Sequence, residues 1–89
     1  MNQEQIKNDW ESMYYNFGFF KDAPRQVWAD FFNRKDELVV LVEWELEIEL
    51  EGKSQRPPNG EGVFIPANAM QTVRNVGKIN NVWYYGYKR

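Results

Sequence analysis

The clearest pattern along the chain is an alternation: Glu43, Glu45, Glu47, Glu49 and Glu51 are interleaved with Trp44, Leu46, Ile48 and Leu50. A period of two predicts a β-strand over residues 43–51, with an apolar inner face and a carboxylate outer face. Immediately before it, Leu38 to Val42 is apolar without interruption, as expected of a strand covered on both sides. Val27 to Asn33 alternates again, with Val27, Ala29, Phe31 and Asn33 on one side and Trp28, Asp30 and Phe32 on the other. Aromatics on both sides predict that one faces an interior and the other a second sheet, the N-terminal segment or a subunit partner. Val82 to Tyr87 reads as a last strand with Trp83, Tyr85 and Tyr87 on one side.

Turn chemistry separates these runs. Lys21 to Gln26 contains Pro24, Arg34-Lys35-Asp36 is a charged turn, Gly52-Lys53 suits a hairpin, and Arg56-Pro57-Pro58-Asn59-Gly60 cannot join a central ladder. Asn80-Asn81 predicts a further turn, since Asn tolerates the left-handed conformation. Gly60 to Asn75 reads as a strand, a tight Pro66/Asn68 corner and a second strand. Towards the N-terminus, Ile6, Trp10 and Met13 or Tyr14 recur at helical spacing, predicting an amphipathic helix over 3–13. Tyr14 to Phe20 then turns aromatic and β-rich, broken by Gly18. It predicts a strand that edges or crosses the sheet, or else a surface for a partner. Many short strands with regular turns predict an all-β barrel or sandwich.

Composition narrows the chemistry. With 89 residues the chain predicts a single domain, residues 1–22 forming a helix/strand extension and 25–88 the barrel. There is no cysteine and no histidine, so disulfides, thiolate chemistry and imidazole ligands are excluded. Four Trp, five Tyr and six Phe must supply much of the buried area. The net charge of −2 is spread along the chain without a basic run, which argues against nucleic acid. No apolar run approaches bilayer length, and Met1 to Gln5 is polar, so no membrane partner and a cytoplasmic location are expected. The row of five glutamates does not make a cation site. Same-face neighbours on a strand lie ~7 Å apart, too far for one ion to gather several, so the row is a solvated face that also discourages strand addition.

Gly60, Pro66 and Asn75 fall on a spacing that resembles the second sequence motif of the cupin family: Gly, five residues, Pro, one residue, Gly, two residues, His, three residues, Asn. Asn68 stands at the second Gly and Gln71 at the metal-binding His. Gln26 to Phe31, Asp36 to Val39 and Trp83 to Tyr87 are similar to stretches of small single-domain bacterial cupins. Anchored on Glu37, the family's first motif puts its two His on Phe31 and Asn33 and its Gly on Trp44. The resemblance implies a cupin-like jelly-roll barrel with a short N-terminal helical or irregular segment, four ligand positions pointing inward, and a homodimer or other protein partner. Of those positions only Glu37 carries a strong ligand, and neutral amides suit only hard cations in oxygen-rich cages. No transition metal and no cofactor are therefore expected.

Three functions follow from these residues. In the first, the protein is metal-free and non-enzymatic, binding a small molecule in the barrel or serving as a scaffold; Phe31, Asn33, Glu37, Trp44 and Gln71 are then the binding residues. The amides would alternatively satisfy each other and Glu37 in a closed polar cluster. In the second, Glu37 is a general base whose pKa is raised by apolar neighbours. In the third, the chain is a natural or engineered interaction module using the aromatic cluster Met13 to Phe17. Trp44 is read either as core beside Leu46 or as an aromatic filling or shaping the vacated metal cavity.

Overall fold

The computed structural model describes residues 2–89. Its one helix, α1 (Gln3–Ser12), starts at Asn2, whose side-chain oxygen accepts from the Gln5 backbone N–H at 3.1 Å. A ten-residue helix is marginal alone in water, so it depends on packing. Trp10 stands 5.7 Å from Phe17 and Phe17 5.1 Å from Tyr84 between ring centroids, over Val40, Leu38 and Val82. The helix comes this close because Gly86 lacks a side chain: a Cβ there would strike the Asn16 carbonyl and approach the Trp10 ring to 2.9 Å. Among the described residues no helix is long and apolar enough to cross a membrane.

Eight strands follow: β1 (Gly18–Asp22), β2 (Val27–Phe31), β3 (Glu37–Glu43), β4 (Glu47–Leu50), β5 (Lys53–Gln55), β6 (Gly62–Ile65), β7 (Gln71–Arg74) and β8 (Asn81–Tyr87). They form two antiparallel four-stranded sheets, ordered β1-β8-β3-β6 and β2-β7-β4-β5. The all-β jelly roll expected from the sequence is the architecture found. Strand β1 belongs to the first sheet as its edge, so the N-terminal extension contributes to the barrel as well as covering it. Between the sheets lie Val39, Leu41, Leu46, Ile48, Val63, Ile65, Val73 and Trp83, each aliphatic contributing ~1.5–3 kcal/mol by leaving water. The apolar run in β3 is explained by this arrangement. Val39 and Leu41 face the interior, whereas Leu38, Val40 and Val42 face α1.

Several local expectations are corrected. The strand predicted over 43–51 is broken: β3 ends at Glu43 and β4 begins at Glu47, with Trp44 between them at φ 68° and 58% exposed. Trp44 is thus neither core nor cavity filler. It occupies a left-handed corner, the conformation for which a Gly is ordinarily used. The outer glutamates are partly paired, Glu47 with Arg56 and Arg74 and Glu49 with Arg74. The hairpin turn falls on Glu51-Gly52, both at positive φ, which leaves Lys53 in β5. The last turn is at 77–79, and Asn81 opens β8 fully buried. Asp22 likewise belongs to β1 rather than to the turn around Pro24. Strand β2 ends at Phe31 and is largely exposed, because it pairs only with β7 at the sheet edge.

Candidate functional site

The Pro66 corner assembles the site. Asn68 takes the left-handed conformation at φ 68° and donates its N–H to the Asn33 carbonyl at 2.7 Å. One residue earlier, Ala67 N–H donates to the Asp36 carboxylate at 2.8 Å. These bonds pin the loop between β2 and β3 to the corner between β6 and β7. As a result Asn33, the first residue of β3 and the first residue of β7 converge. Glu37 is the register partner of Ile65 on one side and Tyr87 on the other, while Phe31 pairs with Gln71 across β2 and β7.

Of the five sequence-predicted binding residues, four meet here. Gln71 Nε2 donates to Glu37 Oε1 at 2.9 Å, and Asn33 Nδ2 reaches the same oxygen at 3.5 Å. Glu37 and Gln71 are each only 2% exposed. Neither amide engages the second carboxylate oxygen, Oε2. Gln71 Oε1 is, among the described residues, a buried acceptor with no partner, so the polar cluster is not closed upon itself. Burial pushes the Glu37 pKa upward, and the two amide hydrogen bonds pull against that shift. Trp44, the fifth residue, is on the surface with Val42, Glu43, Glu45 and Asn59.

Beside Glu37 opens a cleft of about 150 Å³ lined by Phe20, Trp28, Phe31, Glu37, Trp83 and Tyr87. Trp28 is 39% exposed and sits at the mouth, whereas Trp83, at 3%, forms the floor with Glu37. Phe20 is the hub of the wall, 5.3, 5.1 and 5.0 Å from the rings of Trp28, Trp83 and Tyr85, spacings typical of favourable aromatic pairs. Both cleft indoles donate to one oxygen, Oδ2 of the buried Asp22, at 3.0 Å from Trp28 and 2.9 Å from Trp83. Their orientation is therefore fixed before anything binds. The Tyr87 hydroxyl is pushed up to about 12, chiefly by burial and then by the Glu37 and Tyr85 charges, against a hydrogen bond from Asn33. It stays protonated and can both donate and accept.

Sequence reasoning did not place Phe20, Asp22, Trp28, Trp83 or Tyr87 at this site. The alternation of Trp83, Tyr85 and Tyr87 was visible, but which layer that face meets depends on β1 pairing with β8.

No protein-family model matches the sequence, and neither does any curated protein sequence. Solved structures do match. A Cupin_2 domain of an XRE family transcriptional regulator from Enterobacter cloacae superposes with a TM-score of 0.76 at 18% identity, covering 90% of this chain and 87% of that one. The chain has the cupin fold. KdgF from Halomonas sp. is similar with a TM-score of 0.73 at 20% identity, over 84% of this chain and 69% of that chain. An oxalate oxidase in complex with the substrate analogue glycolate gives 0.74 at 20% identity, over 86% of this chain and 43% of its own. Identities this low carry the fold and no activity.

The cupin fold implies a metal held by residues at the four convergent positions, and the donor set here does not fit one. On the alignment that the motif resemblance implies, those positions carry a phenyl ring, two neutral amides and one carboxylate. Borderline transition metals prefer imidazole or thiolate, and a hard cation needs more oxygens than this set supplies. Among the described residues no group of three or more His, Cys, Asp or Glu side chains is close enough to hold an ion.

Proposed function

We propose that the protein is a metal-free, non-enzymatic cupin-fold binder of a small molecule that enters the aromatic cleft and meets Glu37 at its floor. One observation carries this reading: Glu37, restrained by two amides through a single oxygen, opens onto a preformed aromatic cleft of about 150 Å³. A concave apolar site with a few convergent polar groups is the usual form of a small-molecule pocket. The protein purified from cells should contain no stoichiometric iron, manganese or zinc by elemental analysis. The triple variant F31H/N33H/Q71H should gain one equivalent of transition metal. Stoichiometric metal in the unaltered protein would overturn the metal-free reading, and a folded triple variant that binds none would overturn the assignment of ligand positions.

A second reading, Glu37 as general base, is favoured by the upward shift of its carboxyl. It requires turnover of a compound that also binds the cleft, abolished in E37Q. The interaction-module reading finds less support: Tyr15 and Phe17 pack beneath α1, while Met13 and Tyr14 stand exposed.

A further inference from the structure

The chemical class of the ligand can be narrowed, and this step rests on the small-molecule reading above. We infer that the cleft takes a small alkylated ammonium, its methyl or methylene groups against Trp28, Phe31, Trp83 and Tyr87 and its charge facing Glu37. Three features point to this class. The lining consists of five aromatic side chains and one carboxylate, with no lysine or arginine. Such a surface repels anions and attracts cations through the negative faces of the rings. Its only polar charge is Glu37, whose Oε2 is not engaged by either amide, since Asn33 and Gln71 both reach Oε1. An ion in this cleft would meet rings on most sides and only one carboxylate, so it must lose its water cheaply. A bulky, weakly hydrated organic cation does so; a metal ion does not.

The walls are also preorganised. Asp22 holds both indole N–H groups at 2.9–3.0 Å, so little side-chain freedom is lost when a ligand slides between the rings. Asp22 further places a second carboxylate behind those indoles, and the field at the cleft keeps one sign.

The test uses tryptophan fluorescence of the full chain, with choline as probe and its neutral carbon isostere, in which tert-butyl replaces trimethylammonium, as comparison. A sodium chloride titration corrects for ionic strength. Choline should quench saturably, with the isostere binding about tenfold more weakly. E37Q keeps an acceptor for both amides and should lower choline affinity about tenfold while leaving the isostere unchanged. Trp28→Ala, at the exposed mouth, should weaken choline more than the isostere. Equal affinity for the two probes would overturn the cation proposal and leave the small-molecule reading standing. Binding of neither probe to the folded protein would overturn both.

Discussion

Asp22 and Glu37 are both buried carboxylates, 6% and 2% exposed, yet their surroundings give them opposite work. One oxygen of Asp22 accepts two indole N–H groups, and its backbone is held as well, by Asn75 Nδ2 on its carbonyl and Asn81 Oδ1 on its amide. Its burial is spent on fixing two tryptophans. Glu37 receives only amides, both on one oxygen, and borders the cleft. Each carboxylate accepts two neutral N–H donors on a single oxygen, so donor number does not separate them. What separates them is position: Glu37 lines the aromatic cleft, whereas Asp22 braces two of its walls from behind.

The contrast predicts a graded set of substitutions. Asp22→Ala orphans two indole N–H donors, Trp83's in the core and Trp28's half-buried, and should destabilise the fold by about 3 kcal/mol in urea titration; an effect below about 1 kcal/mol would mean the indoles find other partners. Trp83→Phe keeps an aromatic ring but removes one of the two donors and part of the buried area, for a loss of about 2 kcal/mol by the same measurement. Glu37→Gln should change stability at neutral pH by less than about 1 kcal/mol, because the amides keep an acceptor.

The pH dependence of stability separates Glu37 further. Its folded pKa is raised, so the folded state binds more protons than the unfolded chain between the ordinary carboxylate range and the raised value. Stability contributed by this group is then highest below the ordinary range and falls as pH rises through the folded pKa. Glu37→Gln should abolish that fall in thermal melts recorded as pH rises from the ordinary carboxylate range; an unchanged slope would show that the burden lies elsewhere. The smallest effect is expected at Trp44. Replacing it by Asn relieves a bulky residue at φ 68° and should gain about 0.5 kcal/mol, with ligand binding untouched.

Much of the fold was legible from local chemistry. The uninterrupted run Leu38–Val42 announced a strand covered on both faces, and Pro66 with Asn68 announced the corner. The convergence of Phe31, Asn33, Glu37 and Gln71 followed from motif spacing. Trp44 was misplaced because alternation records which side of a strand a residue faces and not the sign of φ. Leu46 stays in phase with Ile48 across the break, so the period continues through a corner that ends the strand. The cleft itself was hidden for a different reason. Asp22 and Trp83 are 61 residues apart, and nothing local to either says that β1 lies against β8. Single letters could report that no imidazole is present; they could not report that Phe20, Trp28, Trp83 and Tyr87 gather beside Glu37.

The four tryptophans offer the most direct test, since their indole N–H groups report three regions: Trp10 on the buried face of α1, Trp44 on the surface corner, Trp28 and Trp83 at the cleft. In a proton–nitrogen correlation spectrum titrated with choline, the account predicts that the Trp28 and Trp83 indole signals and the Gln71 side-chain amide move together to saturation. Trp10 and Trp44 should stay in place. Movement of Trp44 with a silent cleft, or no movement at all, would contradict the assignment of Glu37 and its aromatic walls as the binding site.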